Sequence, residues 1–211
     1  MTEIGQTLGR AARGGADRAA AAATDAVVAE AEAAGLVDVA YARAESPFGD
    51  LLLAATPRGL VRISYLTVES EADALGRLAK SISPRVLEAP ARLDGPRREL
   101  DEYFAGGRQS FELPIDWRLT RGFGRRVLRA TAAIPYGATA SYAKVAERAG
   151  SARAYRAAGN ALHHNPLPVV VPCHRVLQTN GSLGGYAGGL KAKELLLALE
   201  RSGADRASGV S

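Results

Sequence analysis

The chain carries one cysteine, Cys173, set between Pro172 and the cationic pair His174 and Arg175. A thiolate is a potent nucleophile, and an imidazole or guanidinium beside a thiol can lower its pKa or hold an anion. A lone cysteine in an intracellular protein is most often a small buried hydrophobe. Three features weigh toward reaction instead. Prolines at 166, 168 and 172 stiffen the approach, a charged pair follows at once, and all three histidines (His163, His164, His174) lie within ten positions of the thiol. Downstream stand two carboxylates, Glu194 and Glu200, either of which could orient a histidine or simply face solvent.

The elements that must position these groups can be read outward from the thiol. Val169, Val170 and Val171 read as a short buried strand or extended run, which Pro172 ends. Neighbours in an extended run point oppositely, so direct contact between Cys173 and His174 is not guaranteed and a water could bridge them. A turn rich in glycine (Gly181, Gly184, Gly185, Gly188, Gly189) leads into an apolar-periodic helix from about Leu190 to Glu200. Ahead of the thiol, Ser141 can cap a helix to about Ala149, with Gly150 as its C-terminal cap. Ser151 then caps a second helix to about His163, and the pair reads as helix-turn-helix. Arg153 and Arg156 stand in that second helix among small residues, so it could approach a narrow groove while the arginines reach phosphate or the base stack. Another helix lies within Arg121 to Ile134, with Phe123, Val127, Leu128 and Ile134 on one face.

Further upstream, VDVAYARA, DLLLAAT and LVRISY are runs of β-formers separated by the turn signals Ser46-Pro47-Phe48-Gly49 and Pro57-Arg58-Gly59. They predict a three-stranded antiparallel meander. Ser70 can cap a helix to about Ile82, Pro84 to Leu87 reads as a further strand, and Pro96 to Phe104 as a helix ended by Gly106-Gly107. The fold class is therefore α/β of the α+β kind. Residues 1–36 form an alanine-rich arm, a loosely attached helix or a flexible segment; 37–117 form a small sheet-and-helix scaffold domain. A mostly helical reactive domain occupies 118–203, and 204–211 are a tail. At 211 residues and 47% hydrophobic content the chain can bury a real core, and its net charge of +5 suits an acidic partner or solubility alone. One cysteine excludes an internal disulfide and a cysteine-based zinc cluster. No run approaches the ~18 apolar residues of a membrane span, so a soluble protein of a reducing, cytoplasmic compartment is expected.

Asn165-Pro166, then Val171-Pro172-Cys173-His174-Arg175-Val176, then Gly185-Tyr186-Ala187-Gly188-Gly189-Leu190 and the helix to Glu200 closely resemble the methylated-DNA–protein-cysteine methyltransferases, the O6-alkylguanine-DNA alkyltransferases. The likeness is strong from about Gly122 to Glu200, weak from about Val39 to Tyr65, and absent before that. It implies irreversible transfer of an alkyl group from O6-alkylguanine, with O4-alkylthymine as a further candidate, in duplex DNA to Cys173. The protein would act as a monomer, once per molecule and without a cofactor, and would be nucleoid-associated when bound to DNA. Zinc occurs in some relatives, but no cysteine or histidine precedes residue 163 here.

Carried over residue by residue, the resemblance makes Glu200 the partner of His174 in a Glu200–His174–water–Cys173 relay, and Arg156 the intercalating arginine of a helix entering the minor groove. Tyr142 would aid nucleotide rotation and donate to the purine. Asn165 would tie the recognition helix to the active-site loop, with Ser151 and Arg153 also facing DNA. Substrate contacts would come from the Ala187 N–H, the Cys173 and Val176 carbonyls, Tyr186 supporting the loop, and Lys193 through its charge. Gly124, Leu128, Tyr155 and Ala187 depart from the family's usual residues. Two rivals stand beside this reading: a damage-sensing binding module, which the cysteine counts against, and a cysteine hydrolase, which the adjacency of Cys and His counts against.

Overall fold

The computed structural model describes residues 26–31 and 33–208. Its first half is a sheet of β1 (Val39–Ala44), β2 (Leu51–Thr56), β3 (Gly59–Tyr65) and β4 (Val86–Glu88), ordered β3-β2-β1-β4. The expected antiparallel meander is present, with Leu53 opposite both Ala42 and Ile63, and the further strand adds parallel to β1. Helix α1 (Glu71–Ser81) carries the chain from one sheet edge to the other, and Ser70 caps it by accepting from the Asp73 N–H. Every residue of β2 is buried, because both sheet faces are covered. One face packs Val39, Leu52 and Val61 on Ala74 and Leu78 of α1. The other sends Leu51, Leu53 and Ile63 into the main core, which includes Leu100 and Tyr103 of α2 (Asp94–Phe104).

The segment 107–119, read from sequence as a linker, is pinned to the free edge of β3. The Leu60 N–H donates to the Pro114 carbonyl (2.8 Å) and the Asp116 N–H to the Leu60 carbonyl (2.9 Å). The buried Asp116 carboxylate accepts from the Thr56 hydroxyl at 2.6 Å, so the sheet edge is closed rather than left open to another chain. From there the chain builds α3 (Gly122–Ala132), α4 (Tyr142–Arg148), α5 (Tyr155–His163) and α6 (Gly189–Ser208). Two-residue strands β5 (Ala140–Ser141) and β6 (Val176–Leu177) pair in parallel beside the thiol turn.

Several sequence expectations are corrected. Ser151 does not cap α5, which starts at Tyr155 without a side-chain cap. Gly150 adopts φ +88°, and the Ser151 N–H reaches back to the Ala146 carbonyl (2.9 Å) while Gly150 N–H reaches Glu147 (2.9 Å). That pair of bonds closes α4 in a Schellman motif, so the serine backbone ends one helix instead of opening the next. The three valines are no strand either. They lie in a buried turn in which Val169 has φ +73° and the Val171 N–H bonds the Leu167 carbonyl (2.8 Å). Cys173–Arg175 then form a single 3-10 turn, not an extended run. Helix α6 continues past Glu200 to Ser208, through the expected start of the tail. Of the expected arm, residues 26–31 are helical, and Val28 and Ala31 pack against Val37, Ala40 and Ala89; the alanine run 19–23 lies outside the described residues. Among the described residues no helix is long and apolar enough to cross a membrane.

Candidate active site

Asn165, just beyond α5, organises the thiol turn. Its side-chain amide donates to the Val171 carbonyl (2.9 Å) and its Oδ1 accepts from the Leu167 N–H (3.0 Å), holding both ends of the valine turn. The same Nδ2 lies 3.1 Å from Cys173 Sγ. A β-branched residue in the left-handed region carries strain of roughly 1–3 kcal/mol, and the turn's buried bonds hold Val169 there. The sheet domain adds one more tie, the Ile63 N–H to the Pro166 carbonyl at 2.8 Å. Sequence thus brought Asn165 to the right turn, and geometry puts it on the sulfur as well.

Burial pushes the Cys173 thiol up to about 11, against the downward pull of the Asn165 hydrogen bond and the Lys193 charge. At neutral pH the group is therefore a thiol and needs a base before it can attack. His174 is fully buried, and burial holds its pKa below the usual imidazole value despite Glu200. Its Nε2 meets Glu200 Oε1 at 2.8 Å, while Nδ1 has no hydrogen-bond partner among the described residues. A carboxylate can only accept, so Nε2 carries the proton and Nδ1 is left as a buried lone pair. That tautomer is the one a base for the thiol requires.

Glu200, not Glu194, is the carboxylate partner; Glu194 is exposed. Arg175 Nε and Nη2 grip Glu200 at 2.8 to 3.1 Å, and the Gly137 N–H donates to Oε2 at 3.2 Å. The Tyr103 hydroxyl reaches Oε1 at 2.6 Å from the sheet domain. Burial opposes ionisation, but donation from His174 and Arg175 outweighs it and holds the carboxyl at about 2. The carboxylate is thus a fixed negative charge anchoring the imidazole.

A cavity of about 740 Å³ opens onto Cys173 between α4, α5 and the glycine loop. Tyr142, Tyr155, Gly159, Gly184 and Tyr186 are among the residues lining it. Tyr142 has its pKa raised by burial and by the nearby thiol, so it stays a protonated donor. A methyl on Gly184 would collide with the Tyr142 hydroxyl, and one on Gly188 would lie 2.8 Å from the Tyr65 ring. The loop therefore needs glycine to lie down on these two phenols. Lys193 is wholly buried beneath it, donating to the Val176 carbonyl at 2.7 Å and lying 3.4 Å from that of Gly184. The Val176 carbonyl expected to receive a purine amine is already engaged by this lysine. Ala187 lines a second crevice with His163, His164 and Pro166. Arg153 and Arg156 are exposed on and just before α5, with the Arg156 guanidinium 5.7 Å from the Tyr155 ring centre. Ser151 lies in the turn between α4 and α5.

Tyr65 and Tyr103 were not singled out from sequence. Tyr65 shares a 2.7 Å hydroxyl–hydroxyl bond with Tyr186 of the glycine loop. Both tyrosines come from the sheet domain, and only the fold brings them to partners 121 positions away for Tyr65 and 97 for Tyr103. No local pattern announces such a pairing.

A sheet domain docked on a helical domain, with a buried Asn–Cys pair beside a Glu–His pair, defines a protein built to use one protected thiol. Residues 39–117 match the 6-O-methylguanine DNA methyltransferase ribonuclease-like domain, and residues 122–202 the DNA binding domain of the same proteins. The methylated-DNA–protein-cysteine methyltransferase of Mycolicibacterium paratuberculosis is 40% identical over 163 residues, spanning 77% of this chain and 93% of that one. The constitutive enzyme of Bacillus subtilis is 38% identical, spanning 76% and 94%. A crystal structure of Mycobacterium tuberculosis O6-methylguanine methyltransferase superposes with a TM-score of 0.66 at 37% identity, over 78% of this chain and 93% of that one. The protein from the same organism in complex with DNA gives 0.66 at 36% identity, over 78% and 94%. The chain belongs to the methylated-DNA–protein-cysteine methyltransferase family.

Proposed function

We propose that this protein repairs O6-alkylguanine in duplex DNA by moving the alkyl group onto Cys173, once per molecule. The observation that carries this reading is a buried thiol, held by Asn165 and facing a cavity, beside a neutral imidazole whose free nitrogen can take the thiol proton. The proton passes to His174 Nδ1, directly or through one water. Cys173 Sγ then attacks the alkyl carbon, the carbon–O6 bond breaks toward the purine, and the purine takes up a proton, with the Tyr142 phenol as donor. Base flipping costs a few kcal/mol, and Arg156, exposed on α5, would fill the vacated stack from the minor groove. Lys193 supports the thiolate through its charge, and Asn165 through its hydrogen bond. O4-alkylthymine is a second candidate substrate for the same pocket. We expect the protein to work as a cytoplasmic monomer, on the nucleoid when DNA-bound, with no cofactor in any step.

The test is a mass spectrum of the intact protein after mixing with O6-methylguanine duplex. A gain of one CH2, mapped to the peptide holding Cys173, is expected, and Cys173→Ala should show none. An unmodified protein that still binds the duplex would mark a damage-sensing module instead. Methylguanine lost from DNA with no gain on the protein would mark a hydrolase.

A further inference from the structure

Glu200 Oε1 accepts from His174 Nε2 and from Arg175, as a relay needs, but also from a residue of the other domain. The Tyr103 hydroxyl donates to that same oxygen at 2.6 Å, its ring buried between Phe111 (5.2 Å between centres) and Tyr136 (6.1 Å). A phenylalanine would fill the same space, so the hydroxyl is the part that packing does not explain. We propose that Tyr103 is a positioning residue of the alkyl-transfer relay, by which the sheet domain sets how strongly Glu200 holds His174.

His174, Arg175 and Tyr103 compete for one oxygen. Charge-assisted bonds to a carboxylate are strong, and each donor on Oε1 draws charge away from the others. Taking away the phenol leaves Oε1 more basic, tightens the bond from His174 and stabilises the imidazolium. The free nitrogen of the ring then becomes protonated at a higher pH, where it can no longer accept the thiol proton. Other charged or titrating groups face this pair from every side. Arg175 lies on Glu200, and Lys193 and Cys173 stand on the thiol side. The Tyr186 ring is 6.3 Å from the imidazole, and Tyr136 sits under the Arg175 guanidinium at 5.8 Å. None of these belongs to the sheet domain. Tyr65 does, but it acts through Tyr186 on the loop rather than on Oε1.

This inference rests on His174 being the base for Cys173. The experiment is the pH dependence of single-turnover transfer from free O6-benzylguanine, for the full chain with Tyr103→Phe and with 3-fluorotyrosine at position 103. Fluorination acidifies the phenol and strengthens its donation at nearly constant shape, so it keeps the test alive should the phenylalanine variant fold poorly. Tyr103→Phe should move the acid limb of the profile upward by about half a pH unit, which slows transfer about threefold below that limb and little above it. The fluorotyrosine protein should move that limb downward. Limbs that coincide in all three proteins, or that move in the same direction, would overturn the inference while leaving the transfer chemistry standing. Absence of transfer, or of any acid limb, in the unmodified protein would instead remove the reading on which it depends.

Discussion

At the residue scale the site works by withholding reactivity until a base and a substrate are both present. A thiol held up near 11 by burial is nearly inert toward solvent at neutral pH, yet Asn165 and Lys193 bias it toward the thiolate. Iodoacetamide labelling of Cys173 should accordingly be slow at pH 7 and climb as pH rises toward that value. Asn165→Ala removes the donor on sulfur, so the thiol pKa should rise further and transfer from the free base should fall about fivefold or more. Labelling that is fast at pH 7, or unaltered in that variant, would contradict the assignment. The sequence led to Cys173, His174, Asn165 and the glutamate because a compact motif and one helix carry them. Tyr103 was invisible, since its partner lies 97 positions away in another domain.

At the element scale, the outcome turned on where local pattern and tertiary bonding disagreed. Val169 to Val171 have the β-branched signature of a strand, but the Asn165 side chain takes the Val171 carbonyl and the Leu167 carbonyl takes the Val171 N–H, so groups a ladder would use are spent in a turn. Ser151 has the chemistry of a cap, but its N–H was needed to finish α4. The meander, the α1 cap and Gly150 at the end of α4 were legible because turn residues and periodicity agreed there. On α5, Arg156→Ala should slow transfer from duplex DNA at least tenfold while leaving the free base nearly unaffected, since only the duplex has a stack to fill. Equal slowing on both substrates would remove Arg156 from flipping. In the loop, Gly184→Ala should slow both, because the added methyl drives the loop off Tyr142; unchanged rates would show the loop need not close on that phenol.

At the scale of the whole molecule, two domains meet through buried polar groups as well as apolar ones. Glu200, with Arg175, His174 and Tyr103 on it, is where the second domain and α2 of the first converge. Its folded pKa of about 2 lies below the ordinary 4.5, so the ionised form favours the folded state. That stability is fully present above pH 4.5 and drains away as pH falls toward 2, in total up to about 3 kcal/mol. Glu200→Gln should flatten the acid limb of the stability curve over that window. It should also destabilise the protein near pH 7 by roughly 3–5 kcal/mol, because Arg175 is left buried without its counter-charge. A denaturation midpoint equal to that of the native chain at every pH would contradict this role.

The claim that joins these scales is that Cys173 is an acceptor consumed in its single reaction. A thioether offers no thiolate leaving group, and the chain has no second cysteine to exchange with it. The most direct measurement is a titration of the protein with excess O6-methylguanine duplex, counting repaired guanines against protein. The burst should stop at about one methyl per chain, all of it on Cys173. Repair that continues past one equivalent, or methyl recovered on His174, would contradict it.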